Sequence, residues 1–115
     1  MMTAMARRAS KYNARKTVVD GITFDSRREA KRWQELKRLE DLGEIRKLRR
    51  QVKFPLIPKF KVDGKTYRET SYIADFTYYE DGILVVEDCK GFRTPEYRLK
   101  KKLMAYINYI NIRES

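Results

Sequence analysis

The dipeptide Asp-Gly occurs three times, at Asp20-Gly21, Asp63-Gly64 and Asp81-Gly82, each time between residues that suit strands. A two-residue hairpin turn needs positive φ at its centre, which glycine adopts freely and aspartate tolerates, so these pairs predict hairpins. The hairpins fall at about Lys16 to Asp25, Lys59 to Arg68 and Ser71 to Lys90. Between the first two, Ser26 to Leu42 is rich in Ala, Leu, Arg, Lys and Glu and closes at Gly43, which reads as a helix. A strand follows from about Leu48 to Ile57, with Val52, Phe54 and Leu56 on one face. Pro55 and Pro58 put its later part at an edge or a bulge. Thr94-Pro95 opens a second helix as N-cap and first-turn residue, with Leu99, Leu103, Tyr106 and Ile110 as its apolar stripe. Asn111 to Glu114 suits a short closing strand. At 115 residues, 1–115 make one domain, and residues 1–12 are expected to be a mobile basic tail.

Lys and Arg number 27 against 16 Asp and Glu, a net charge of +11 that favours a polyanionic partner. Phosphates neutralised by Lys or Arg release condensed counterions, so nucleic acid is the natural candidate. Charge alone also suits a protein that binds an acidic partner. Met1 to Ser10 lacks an apolar core for a secretory signal, and no run of residues is apolar enough to span a membrane. The single cysteine, Cys89, forbids an intrachain disulfide, and the cytoplasm is the expected location. Histidine is absent, which removes the commonest general base and the imidazole metal ligands. Any hydrolysis must therefore rest on carboxylates, lysine and a hard metal ion.

The third hairpin assembles such groups. With Asp81 and Gly82 as the turn, Glu80 pairs with Ile83, and the register carries down to place Thr77 opposite Val86 and Asp75 opposite Asp88. Side chains alternate, so Asp75, Asp88 and Lys90 share one side while Glu87 and Cys89 take the other. Facing carboxylates with Cβ atoms roughly 4.5 to 5.5 Å apart repel, and a divalent cation between them relieves the repulsion. A solvated strand end with Lys90 as counter-charge fits the same spacing. The apolar run Ile83 to Val86 argues for a covered central strand from which Asp88 emerges. On the first helix, Trp33 and Leu36 lie about 40° and 20° to either side of Glu29, so an acid sits within the apolar stripe. Glu29 also stands where a capping box with Ser26 would have it, and the two roles are compatible.

A helix with Glu29, a strand with Asp75, an Asp-x-Lys at Asp88, Cys89 and Lys90, and a following basic helix resemble the PD-(D/E)xK nuclease superfamily. The chain is more closely similar to small phage-encoded proteins of the Holliday-junction-resolvase type. The stretches that carry the likeness are Lys11 to Asn13, Asp20 to Ser26 with Glu29, Gln51 to Phe54, Tyr72 to Phe76 and Val86 to Gly91. Ala74 stands where the superfamily's name has a proline, a position the superfamily often varies. The resemblance implies an α/β (α+β) fold with a restriction-endonuclease-like core. Its mixed sheet is flanked by helices in the order α-β-β-β-α-β, and the first Asp-Gly pair adds an N-terminal hairpin. It also implies Mg²⁺ as cofactor, with Mn²⁺ substituting, DNA hydrolysis as activity, and a homodimer acting on branched or double-stranded DNA.

On that reading Asp75, Asp88 and Glu29 hold the metal, which polarises the scissile phosphate and activates water. Lys90 orients the water or offsets transition-state charge. Basic residues flank this centre: Arg46, Lys47, Arg49 and Arg50 before the apolar part of a strand, and Lys100, Lys101 and Lys102 on the second helix. Lys100, Lys102, Arg49 and Arg50 are the candidate phosphate contacts. Tyr72, Tyr78 and Tyr97 are expected to pack rather than to stack on bases. The rival reading is a non-catalytic, basic nucleic-acid-binding protein.

Overall fold

The computed structural model describes residues 16–90 and 92–115, so the expected tail over residues 1–12 lies outside the described residues. Thr17–Val19 (β1) and Ile22–Phe24 (β2) pair across Asp20-Gly21, whose φ values of 54° and 76° are those the turn demands. Helix α1 (Arg27–Asp41) starts at Ser26, whose hydroxyl accepts from the Glu29 backbone N–H at 3.1 Å and so satisfies one donor of the first turn. Strand β3 (Arg46–Ile57) leads into a small hairpin of β4 (Phe60–Val62) and β5 (Lys65–Tyr67). Strands β6 (Thr70–Glu80) and β7 (Ile83–Asp88) form the long third hairpin. Helix α2 (Pro95–Asn108) is capped by Thr94, and β8 (Arg113–Glu114) closes the chain.

The central sheet has the order β3-β6-β7-β8, antiparallel except for the parallel pair of β7 and β8. It is a mixed α+β fold, and the core elements follow one another as α-β-β-β-α-β behind an N-terminal hairpin. Helix α1 and the first hairpin cover one face through Phe24, Ala30, Trp33 and Leu36, which pack with Phe76 and Tyr78. Helix α2 covers the other through Tyr97, Leu103 and Met104, packed with Leu56, Tyr72, Ala74 and Val86.

The two cores reveal a change of face within β6. Tyr72 and Ala74 belong to the α2 side, Phe76 and Tyr78 to the α1 side, although strict alternation would keep all four together. Strand β3 changes face at the same level, with Leu48 on the α1 side and Phe54 and Leu56 on the α2 side. The ladder pairs Arg50 with Phe76 and Val52 with Ala74 but skips Gln51 and Asp75, and Gln51 has a left-handed φ of 51°. One left-handed residue reverses the phase of an extended chain, so the sheet is interrupted at Asp75.

Two expectations need correction. The buried side of α2 is set by Tyr97 and Met104, with Leu103 and Ile110 beside them, while Leu99 and Tyr106 are 55% and 79% exposed. Tyr97 and Met104 are seven residues apart and fix the helix's rotation, which turns Leu99 and Tyr106 outward. The apolar run of β7 is covered only from Val85 onward, because Ile83 and Leu84 lie beside the turn, where β7 has β6 but not β8 as a neighbour.

Candidate active site

At the interruption in the sheet, acids from three elements come within electrostatic reach of one another. On α1, the backbone of Glu29 serves the Ser26 cap while its buried carboxylate accepts from Gln51 Nε2 at 3.4 Å. The Ser26 half of the expected capping box is therefore present, while the Glu29 carboxylate turns inward to Gln51. Burial first, then Asp25, raises the Glu29 carboxyl above its ordinary range; Arg50 opposes this, Asp88 adds to it, and Lys90 opposes it. Glu29 thus lies within the electrostatic reach of the Asp88–Lys90 pair, although α1 covers the opposite face of the sheet from α2.

Asp75 occupies the break itself. Among the described residues it has no ladder partner in β3 or β7, and the pairing of β6 with β7 ends one step short, at Phe76 with Glu87. The expected register holds as far as it runs, with Thr77 opposite Val86. Asp75 Oδ2 instead accepts from the Cys89 backbone N–H at 2.9 Å, which ties the two strands together where the ladder stops. Burial, the Asp88 charge and the Glu29 charge together push the Asp75 carboxyl up to about 8, against the pull of the Cys89 N–H.

Asp88 is only 2% exposed. Its Oδ2 accepts from the Tyr72 hydroxyl. Its Oδ1 lies 3.1 Å from Lys90 Nζ, yet that oxygen is buried and has no well-formed hydrogen bond. Proximity without hydrogen-bond geometry leaves a desolvated lone pair, a costly arrangement that a cation would offset. Lys90 Nζ also sits 4.4 Å from the centre of the Tyr97 ring, which fixes the ammonium beside Asp88. Asp88 and Lys90 line a cleft of about 350 Å³ together with Ser71, Tyr72, Thr94 and Lys100. The neighbouring acid Glu87 faces the other way, as alternation requires. It is fully buried against Arg32 of α1, with Tyr78 and Ser115 as further donors. Burial works to raise its carboxyl, but these hydrogen bonds outweigh it and hold the group below the ordinary range.

The candidate phosphate contacts divide. Lys100 lines the cleft, held at 3.0 Å by Glu96, whereas Lys102 is exposed and is not among the residues of the cleft. Arg49 is exposed. Arg50 is half-buried, its guanidinium 4.6 Å from the centre of the Phe24 ring, so its charge acts on Glu29 from within the fold. Tyr72, Tyr78 and Tyr97 are buried, but each also spends its hydroxyl on an acid: Asp88, Glu87 and Glu114 respectively. Sequence reasoning missed Tyr72 and Gln51 as site residues. Their contacts depend on the change of face, and a left-handed Gln51 leaves no mark in the pattern of apolar residues.

The donors suit a hard cation, since all are carboxylate oxygens and one is buried without a hydrogen bond. Among the described residues, however, no three Asp, Glu or Cys side chains converge into a ready cage. Of the three acids, only Asp88 lines the cleft; Asp75 and Glu29 are linked to it through their electrostatic influence on one another.

Residues 9–115 match the family described as "Protein of unknown function (DUF1064)", and the chain belongs to that family. No curated protein and no solved structure matches it. Among the described residues no helix is long and apolar enough to cross a membrane.

Proposed function

We propose that this member of the family is a metal-dependent DNA endonuclease that hydrolyses phosphodiester bonds, with branched DNA of the Holliday-junction type as its substrate. The observation that carries the reading is the buried Asp88 Oδ1, which lies beside Lys90 Nζ yet has no hydrogen bond, in the wall of a cleft and close to an Asp75 whose ionisation Asp88 and Glu29 oppose. Desolvated carboxylates in mutual repulsion are a poor way to build a stable sheet and a good way to attract a cation.

Asp75 and Asp88 would hold Mg²⁺, with Glu29 joining through water and Mn²⁺ able to substitute. When bound, the ion supplies Lewis acidity toward the phosphate and lowers the pKa of water. The protein's own groups do the rest. Tyr72 and the Cys89 N–H each hold one oxygen of Asp88 and Asp75 respectively, which fixes the remaining oxygens without a search over rotamers. Lys90, pinned between Asp88 and the Tyr97 ring, presents a positive charge at the cleft to orient an attacking water and offset charge on the phosphate. Lys100 adds a second cation at the cleft's edge. A two-fold dimer acting in the cytoplasm completes the proposal, since symmetric cleavage of a four-way junction needs two sites related by symmetry.

The test is cleavage of a four-way junction, a linear duplex and single strands in Mg²⁺, with Asp75→Ala and Lys90→Ala alongside. Mg²⁺-dependent cutting that prefers the junction and falls roughly a hundredfold or more in each variant is expected. Cutting that survives both substitutions would contradict the mechanism, and equal cutting of all substrates would contradict the junction preference. The second reading, a non-catalytic DNA-binding protein, is favoured by the absence of a tight three-acid cluster among the described residues. It requires intact DNA and unweakened binding in Asp88→Ala.

A further inference from the structure

Two hairpins of equal length behave in opposite ways. The β1–β2 hairpin turns Val19, Ile22 and Phe24 into the α1-side core. The β4–β5 hairpin forms its own two-stranded sheet, and every residue of both strands is exposed. A two-stranded hairpin alone in water is marginal, so an arm of this kind calls for a contact that the described residues do not supply.

Its register sorts the side chains. Phe60 pairs with Tyr67 and Val62 with Lys65, so these four share a face, while Lys61 and Thr66 take the other. By the same alternation Lys59 and Arg68 continue the second face. The first face carries an ordered stack, with the Phe60 and Tyr67 rings 4.9 Å apart and 11° from parallel and Lys65 Nζ 5.1 Å from the Tyr67 ring centre. Phe60, Val62 and Tyr67 remain 43%, 51% and 40% exposed. Lys59, Lys61, Lys65 and Arg68 face only Asp63 as an acid within the arm.

We infer that the β4–β5 hairpin is a nucleic-acid-binding arm whose basic face holds the DNA backbone and whose Phe60–Tyr67 face receives an unpaired base. Charge selects this occupant over a second copy of the chain. An isologous contact through the aromatic face would bring the two copies of Lys65 onto one surface and leave Lys59, Lys61 and Arg68 on the other face unneutralised, whereas a polyanion neutralises them. Aromatic faces flanked by cations suit bases in any sequence, because every base offers a π-face. The arm is also well placed: it leads into β6 at Thr70, and Ser71, Tyr72 and Ile73 line the cleft. From Thr70 to Asp75 the strand advances roughly 17 Å, about five nucleotides along a DNA strand. Unpaired bases near a branch point would then meet the arm while the scissile phosphate lies in the cleft. This deepens the nuclease reading and rests on it for the substrate, but the arm's binding does not require catalysis.

Binding is therefore measured by fluorescence anisotropy in EDTA, on a labelled single strand and on a duplex of the same sequence, with the full chain. Phe60→Ala with Tyr67→Ala is expected to weaken single-strand binding about tenfold or more and duplex binding far less. Lys59→Ser with Lys61→Ser and Arg68→Ser should weaken both and flatten the salt dependence by about 0.7 to 0.9 for each phosphate no longer neutralised. Both variants should melt within a few degrees of the parent, since the arm's strands are exposed and belong to neither core. Unchanged binding in both variants would overturn the arm. So would an aromatic variant that binds normally but turns a dimer into a monomer in sedimentation, which would make the face a subunit contact. A protein that binds through the arm but never cuts DNA would sink the nuclease reading and leave the arm standing.

Discussion

At the scale of single residues, the site contains an unfavourable charge arrangement that hydrogen bonds only partly relieve. Asp75 carries the largest consequence. Its folded carboxyl stands at about 8, above its ordinary value of 3.8, so the native state binds this proton more tightly than the unfolded chain does. The linked stability is fully present below the ordinary value and is lost as the pH rises through about 8. Without metal, the melting temperature should therefore fall between pH 5 and 9. Asp75→Asn, which cannot ionise, should flatten that fall and melt several degrees higher at pH 8.5. An identical pH profile in parent and variant would remove Asp75 as the cause. Tyr72 gives a second test, since its hydroxyl holds the one Asp88 oxygen that has a hydrogen-bond donor. Tyr72→Phe keeps the ring in the α2-side core but frees that oxygen, and Mg²⁺ affinity should drop about tenfold or more while the melting temperature moves little. Calorimetric titration reads this directly, and an unchanged affinity would make Tyr72 a packing residue only.

At the scale of elements, adjacent acids of one strand serve opposite ends. Glu87 is buried against Arg32, Tyr78 and Ser115 and fastens β7 to α1, whereas Asp88 points to the cleft. Removing one partner of a buried pair strands the other, so Glu87→Ala should cost about 3 to 5 kcal/mol in chemical denaturation. Asp88→Asn should cost far less or stabilise the metal-free fold. Comparable losses in the two would deny this division. The division is legible in the sequence, because the Asp81-Gly82 turn fixes the register and the register fixes parity. The same holds for the three hairpins and for both helix starts, where Ser26 and Thr94 announce themselves by local hydrogen-bonding chemistry. Less legible is the rotation of α2. Leu99 and Tyr106 complete a stripe in the sequence, but Tyr97 and Met104 win the core because they meet Tyr72 and Val86 across the sheet. The change of face at Gln51 and Asp75 is not legible at all. In β3 it coincides with the left-handed backbone of Gln51, which no residue type announces, and it lies where Glu29, on the α1 side, senses Asp88.

At the scale of the molecule, a net charge of +11 accompanies a small acidic centre, an arrangement that on the proposed reading would draw a polyanion in and leave one place for a cation. Arg49 and Lys102 are exposed, Lys100 stands at the cleft, and the β4–β5 arm extends the basic surface beyond it. Arg50, turned inward onto Phe24, shows that the basic excess is not all devoted to a partner. All of this depends on the acidic centre accepting a divalent ion. The most direct measurement is calorimetric titration of Mn²⁺ into the metal-free protein at pH 8, beside Asp75→Asn and Asp88→Asn. Saturable binding in the parent that is abolished in both variants is the expected result. Absence of binding in the parent, or equal binding in all three proteins, would contradict the account.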